Sequence, residues 1–306
     1  MRSVLITGGA GFLGTALARR LLEQELVSVH LGPQAPGSKQ WRPMWDRVCI
    51  YSRGEHRQAA MRREFAEKGN PRLRWFIGDV RDQERLSRAM RGVDLVIHAA
   101  SLKRIELGYY APDEMIKTNI VGTMNVVEAA ANAPYGMGQA IHPRKVLLVS
   151  SDKAFQPVSP YGQSKALAES LVLAANNVHP HGPRYAVVRY GNVWRSTGSV
   201  VPTWAAAIAA GDPLNVTDED CTRFYMTLDQ ACDLVLDTAA AMKGGELVIP
   251  TLPAYRVGDL LEAMGAAVFN RTGLPTWEKM HESMDEERSS KNARRMTVNE
   301  LKEALR

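Results

Sequence analysis

The sequence predicts an α/β fold, a doubly wound parallel sheet with helices on both faces and a small α/β lobe toward the C-terminus. Three observations carry this. Short β-branched runs alternate with longer amphipathic stretches through the first half of the chain, a glycine-rich turn closes the first run, and the alternation loosens from Gly191 to Thr222, where Gly, Pro and Thr become frequent. Strand followed by helix, repeated, is the pattern of parallel strands joined by crossovers.

Ser3 to Thr7 reads as the first strand and Leu13 to Leu22 as its helix. Leu73 to Ile77 precedes a helix from Gln83 to Met90, Asp94 to His98 precedes Ile116 to Ala131, and Lys145 to Val149 precedes Pro160 to Ala175. Tyr185 to Arg189 is a further strand, and Leu228 to Met242 with Glu246 to Ile249 is a late helix and strand that return to the sheet. The second strand has two candidates. Leu26 to Leu31 stands at the ordinary distance from the first helix, while Arg47 to Ser52 is equally strand-like and is favoured. Residues 27–46, with Gly32-Pro33, Pro36-Gly37, Trp41 and Trp45, then form an insertion: a lid, an oligomer contact or a plain surface excursion.

With 306 residues and 45% hydrophobic content the chain can bury a large core. Three cysteines, Cys49, Cys221 and Cys232, are an odd count without metal-type spacing, so neither a disulfide framework nor a metal site is expected. The apolar run from Val4 breaks at Thr7-Gly8 and none approaches the roughly 18 residues of a membrane span, so a cytoplasmic protein without a membrane partner is expected. The net charge of +5 is spread among acids, as in Arg81-Asp82-Gln83-Glu84-Arg85, and the Lys291–Arg295 cluster stands near Asp285-Glu286-Glu287. That argues against nucleic acid and suits an anionic small molecule equally well.

Gly8, Gly11 and Gly14 punctuate the turn from first strand to first helix. Such spacing gives a tight turn, close backbone approach to a pyrophosphate and close helix–strand contact, with phosphates over the helix N-terminus formed by Phe12 and Leu13. This makes the sheet a Rossmann-type dinucleotide-binding domain, 1–190 and 225–250, beside a substrate lobe, 191–224 and 251–306. Asp79, with Val80 beside it, follows the strand ending at Ile77-Gly78 and is placed to accept from an adenine amino group; Ala99-Ala100 leave room for a cofactor backbone. All four also suit a structural strand end. No acid closes either candidate second strand, whereas Ser52-Arg53 could bind a 2′-phosphate, which favours NADP over NAD; a plain exposed arginine is the alternative for Arg53.

Tyr161 and Lys165 share one face of a helix opened by Ser159-Pro160. A positive Lys165 near the phenol would favour phenolate and make Tyr161 a usable base. The pair follows the strand Lys145 to Val149 and its terminal Ser150-Ser151-Asp152-Lys153.

With these segments the chain resembles the extended short-chain dehydrogenases/reductases, and within them the inverting UDP-N-acetylglucosamine 4,6-dehydratases of the polysaccharide-biosynthesis group. Further resemblance lies in Tyr51-Ser52-Arg53, Phe76 to Asp82, His98 to Lys103, Lys117-Thr118-Asn119, Arg189 to Val193, Gly198 to Pro202 and Thr222-Arg223-Phe224. The resemblance implies an internal oxidation, water elimination and re-reduction on bound NADP. Tyr161 would take the O4 proton, Ser151 orient O4, Lys153 remove H5 and Asp152 help water leave C6; an exposed Asp-Lys loop is the structural alternative. Lys153 must then be neutral, which Lys165 and an oxidised nicotinamide would promote. Retaining dehydratases show Asp-Glu where this chain has Asp152-Lys153. The resemblance also places Asn192 and Arg223 at the nucleotide diphosphate, Lys103 near the sugar, Glu278 and His281-Glu282 in a segment closing over the nucleotide, and Asn119 at the backbone around the catalytic lysine. A structural salt bridge is the alternative for Arg223, and Thr276-Trp277 replaces the family's Pro-Gly. A UDP-sugar substrate and a homo-oligomer are implied. Other readings are a nucleotide-sugar 4-epimerase, or a non-catalytic NADP-binding sensor or scaffold, against which the intact Ser151, Tyr161 and Lys165 argue.

Overall fold

A strand at the centre of a parallel sheet covered on both faces has to be apolar on both sides, and β1 (Ser3–Thr7) is buried along its whole length. The computed structural model describes residues 2–23, 27–30, 39–42, 45–66, 70–132, 143–266 and 268–306. β1 is joined in one sheet by β2 (Arg47–Ser52), β3 (Leu73–Ile77), β4 (Leu95–His98), β5 (Lys145–Val149), β6 (Arg184–Val188) and β7 (Leu247–Val248). Their order is β3-β2-β1-β4-β5-β6-β7, every pairing parallel. The order reverses between β2 and β4 on either side of β1. In such sheets the crevice at the carboxyl ends beside that switch is where ligands bind.

The later candidate is therefore the second strand of the sheet. Val27–His30 instead pairs antiparallel with Lys39–Arg42 in a ribbon of its own. Gly32-Pro33, Pro36-Gly37 and the side chain of Trp41 lie outside the described residues, while Trp45 packs on the core.

Side chains alternate between two cores, as period-2 strands require. Val4 and Ile6 of β1 face a cluster holding Leu17 and Leu21 of α1 (Phe12–Glu23), Met61 and Phe65 of α2 (Glu55–Ala66) and Val235, while Leu5 faces Leu86, Val126 and Val172. Leu86 belongs to α3 (Gln83–Ala89), Val126 to α4 (Gly122–Ala131), Val172 to α5 (Pro160–Val178) and Val235 to α6 (Leu228–Ala241). The sequence reading has no counterpart of α2, because EHRQAAMRREFA is mostly polar and, among the described residues, buries only Gln58, Met61 and Phe65 on one narrow stripe. The expected helix Ile116 to Ala131 is divided: Ile116–Val121 is a π-helical turn, and α4 follows it. That widened turn carries Thr118 and Asn119 into the interior.

A third core, with Trp204, Tyr255, Leu260 and Leu301, gathers the C-terminal elements. They include the helix Val200–Ala210, the parallel pair Leu214–Val216 and Phe269–Arg271, and the antiparallel pair Thr222–Phe224 and Ala254–Arg256. Among the described residues no helix is long and apolar enough to cross a membrane, and no group of His, Cys, Asp and Glu could hold a metal ion.

Candidate active site

The carboxyl ends of β1 and β4 are tied by a buried polar relay. Thr7 Oγ1 lies 2.7 Å from His98 Nδ1, and His98 Nε2 lies 3.0 Å from Thr123 Oγ1. Burial, helped by the Lys165 cation, pushes the His98 imidazole down to about 3, so it is a neutral strut. Beside it Gly8 adopts φ +68°, where a Cβ would also come within 2.9 Å of the Ala100 backbone. A Cβ on Gly14 would come within 2.6 Å of the Gly8 carbonyl, so α1 starts hard against the turn only because both are glycine. Gly8, Gly11, Phe12, Leu13, Gly14, Ala99 and Ala100 thus meet at one spot. The first turn of α1 carries no acid, and its N–H groups have no partners within the helix. This cradle fits the pyrophosphate of a dinucleotide.

Farther along, Arg53 Nη1 stands 3.6 Å from Asp79 Oδ2, and Arg81 donates to Asp79 through its backbone N and Nε, each at 3.0 Å. Burial would raise the Asp79 carboxyl, but Arg81 and Arg53 outweigh it and hold the group below the usual range. Asp79 is therefore an anchor for two arginines rather than a free acceptor. Ser52 Oγ receives Gln58 Nε2 at 3.0 Å, and Val80 is buried against Gly122.

At the ends of β5 and β6 lies the second half of the site. Ser159 caps α5, its Oγ accepting from Gly162 N at 3.1 Å, with Pro160 in the first turn. Tyr161 and Lys165 are both buried on this helix. A Cβ on Gly162 would come within 2.3 Å of the Lys153 carbonyl, so the 3-10 turn Asp152–Ala154 rests directly on the helix beside Tyr161. Lys165 Nζ donates to the Val149 carbonyl at 2.7 Å, and burial pushes this amine down to about 8 against the pull of Glu169. Burial raises Tyr161 above its ordinary value; Lys153 and the hydroxyls of Ser151 and Ser101 pull it back, while the Lys165 ammonium donates to the β5 carbonyl.

Lys153 departs from the expectation of a neutral amine. Its Nζ lies 3.3 Å from Asp152 Oδ1 and 3.1 Å from Glu282 Oε1. Burial lowers its proton affinity, but the two carboxylates outweigh burial and favour the ammonium over the neutral amine. Asp152, almost fully buried, is pushed up by burial and accepts from Ser151 Oγ at 2.8 Å. Ser151, Asp152, Lys153 and Tyr161 are thus one connected cluster.

The remaining expected residues are placed as follows. Asn192 Oδ1 is buried without a hydrogen-bond partner among the described residues. Arg223 Nη2 is 3.2 Å from Glu278 Oε2, and its Nη1 donates to the carbonyls of Thr222 and Lys279 at 2.9 and 3.1 Å. Arg223 and Glu278 therefore meet as a salt bridge, the structural alternative named above. Lys103 is exposed on the loop after β4. Asn119 holds Leu102, accepting from its N at 2.8 Å and donating to its carbonyl at 2.9 Å, and donates to Ser164 Oγ at 2.9 Å; it braces the loop after β4 against α5 instead of the backbone at Lys165. Two features have no local signal in the sequence: Glu282 reaching Lys153 from the C-terminal segment, and a buried pair of Arg189 with Glu169, one turn beyond Lys165.

The family model described as polysaccharide biosynthesis protein matches residues 39–301. This chain belongs to that polysaccharide biosynthesis family. It is 38% identical over 286 residues to the inverting UDP-N-acetylglucosamine 4,6-dehydratase of Campylobacter jejuni, covering 92% of this chain and 77% of the relative. It is 36% identical over 264 residues to a UDP-glucose 4-epimerase of Rickettsia akari, covering 86% and 70%. Among solved structures, Pen from Bacillus thuringiensis superposes with a TM-score of 0.86 at 29% identity, covering 99% of this chain and 98% of Pen. Members of the family thus carry names for two reactions on the same scaffold, and the side chains at the ends of β5 and β6 have to separate them.

Proposed function

We propose that this family member is a nucleotide-sugar 4,6-dehydratase that uses NADP, acts on UDP-N-acetylglucosamine and inverts C5. One observation carries the reading. Buried Asp152 and partly buried Lys153 lie in the same cluster as Tyr161 and Ser151. A 4-epimerase needs one group to handle the O4 proton, whereas a dehydratase needs two more, at C5 and at the C6 oxygen.

The nicotinamide, when bound, would supply oxidation at C4 and reduction at C6. Gly8 to Gly14 with Ala99-Ala100 would hold its pyrophosphate, and Ser52-Arg53, with Asp79 and Val80, its adenosine end. Tyr161 would accept the O4 proton with Ser151 orienting O4. Asp152, which burial leaves with a high proton affinity, would protonate the departing C6 hydroxyl. Lys153 would take H5 once it has released its own proton. Lys103, Asn192, Arg223 and Glu278 would line the nucleotide side, the orphaned Asn192 oxygen being free for a ligand donor. The proposal includes the division into a dinucleotide domain, 1–190 and 225–250, and a substrate lobe, 191–224 and 251–306, and a cytoplasmic homo-oligomer. The relative from Rickettsia akari favours 4-epimerisation as the second reading.

Incubating the purified protein with UDP-N-acetylglucosamine in deuterated water, without reductant, separates these. A product lighter by one water and carrying deuterium at C5 is expected. An unchanged formula with an inverted C4 would establish the epimerase instead, and absence of any conversion would overturn this choice of substrate. For the cofactor, Arg53→Ala is expected to weaken NADP binding roughly tenfold while leaving NAD binding unchanged, since one half-exposed charge-assisted contact is lost. Equal weakening of both in a binding titration would show that Arg53 does not read the 2′-phosphate.

A further inference from the structure

We propose that Glu282 is a positioning residue for Lys153, fixing its ammonium from the C-terminal segment and setting the pH at which Lys153 can act as a base. The inference rests on the reading of Lys153 given above. Nζ sits between Asp152 Oδ1 at 3.3 Å and Glu282 Oε1 at 3.1 Å, with the two carboxylate side chains 1% and 3% exposed. The other oxygen of each, Asp152 Oδ2 and Glu282 Oε2, is buried without a hydrogen-bond partner among the described residues. Leaving a carboxylate oxygen dry is costly unless a ligand donor arrives to satisfy it.

Glu282 does not depend on Lys153 for its place. Its backbone N donates to Ser290 Oγ at 2.9 Å, its carbonyl accepts from Ser290 N at 2.7 Å, and Ser290 Oγ lies 2.7 Å from Thr222 Oγ1. The carboxylate is thus presented by the C-terminal lobe, while the lysine is presented by the turn after β5. Lys279 Nζ, donating to the Phe155 carbonyl at 2.6 Å, makes a second bond between the same two segments. The groups facing Lys153 are Asp152 from its own turn, Tyr161 from α5, Arg223 and Tyr255 from the two small-lobe strands, and Glu282 with Lys279 from the C-terminal segment. Two of these are anions in direct contact with Nζ. Both keep the ammonium charged, Asp152 the more strongly, and Glu282, held low by Lys153 and Arg223 in spite of its burial, is the one supplied from the C-terminal segment.

The working form of a general base is the unprotonated one, so a carboxylate that favours the ammonium moves the onset of activity to higher pH. Removing that charge moves it down. The test is trace labelling of the protein with acetic anhydride across a pH series, with the Lys153 and Lys302 peptides quantified by mass spectrometry; exposed Lys302 serves as the internal reference. In the wild type, Lys153 is expected to become reactive only at higher pH than Lys302. In Glu282→Gln its midpoint is expected to fall by roughly one to three pH units, and in Glu282→Asp, which keeps the charge, to stay near the wild-type value. A wild-type Lys153 that reacts at or below the pH of Lys302, or a Glu282→Gln midpoint equal to the wild type, overturns the proposal. The wild-type comparison needs no variant, so it can overturn the proposal even if Glu282→Gln does not fold. Labelling needs no turnover either, so failure to convert UDP-N-acetylglucosamine would defeat the dehydratase reading alone. Where conversion is found, the pH profile of deuterium incorporation at C5 is expected to shift downward in Glu282→Gln, a change that loss of mere packing would not produce.

Discussion

Tyr161→Phe is expected to lower conversion of the nucleotide sugar by roughly 10²–10⁴-fold, the usual contribution of a positioned acid–base group, while leaving the fold and dinucleotide affinity nearly intact. The ring of Tyr161 is 9% exposed and stays in place when only its oxygen is removed. What is lost is the one group in the cluster that the hydroxyls of Ser151 and Ser101 help to ionise. Because burial raises the phenol above its ordinary value, the phenolate fraction grows with rising pH. Wild-type conversion should therefore climb toward alkaline pH, and a flat or falling profile would contradict a phenolate base. Single-turnover rates with the dinucleotide affinity measured in parallel make the check. A variant that keeps turnover within tenfold of the wild type removes Tyr161 from the chemistry, and a variant that loses dinucleotide binding as well shows that the ring does more than position an oxygen.

What the sequence makes legible is local, and what it hides is long-range. The turn from β1 into α1 is readable because glycine is demanded by backbone clashes a few residues apart, as between Gly14 and Gly8. Tyr161 and Lys165 are readable because a helix period puts them on one face. The parallel sheet follows from strand–helix alternation, whereas Leu26 to Leu31 and Arg47 to Ser52 are equally apolar and the pairing of Arg47–Ser52 with β1 decides between them. By contrast, the charge state of Lys153 depends on Glu282, which no periodicity connects to it. Asn119 reaches Leu102 and Ser164 because the chain widens into a π-helical turn, a backbone event without a sequence period of its own. Arg223 and Glu278 are each placed by the resemblance alone, and their mutual pairing is visible only once both strand and segment are in place. The expectation of a neutral Lys153 fails for one reason. Counting nearby cations is not enough in a dry site, where carboxylates and carbonyls from other elements decide which proton stays.

Arg189→Ala is expected to destabilise the fold by about 3–5 kcal/mol, the range seen when one partner of a buried ion pair is removed and the other left charged. Arg189 Nε donates to Glu169 Oε1 at 3.0 Å, and Nη2 meets the other carboxylate oxygen, so the contact is bidentate. The two side chains are 10% and 6% exposed, too little for water to take over the orphaned carboxylate. Against a net stability of about 5–15 kcal/mol for an ordinary domain, that loss is a large fraction. It should appear in urea unfolding as a lower midpoint with unchanged slope. Replacing both partners, Glu169→Leu with Arg189→Met, should recover much of the loss, because the penalty lies in the unpaired buried charge and not in the missing attraction. A cost below about 1 kcal/mol for Arg189→Ala would show that the pair is hydrated in solution. The same guanidinium also donates through Nη1 to the Met284 carbonyl and stands 5.9 Å from the ring of Phe155. It therefore bonds the helix of Lys165 to the segment that carries Glu282, beside the turn that carries Lys153. The apolar double variant should consequently regain stability without regaining full activity, separating what Arg189 does for the fold from what it does for the geometry of the site.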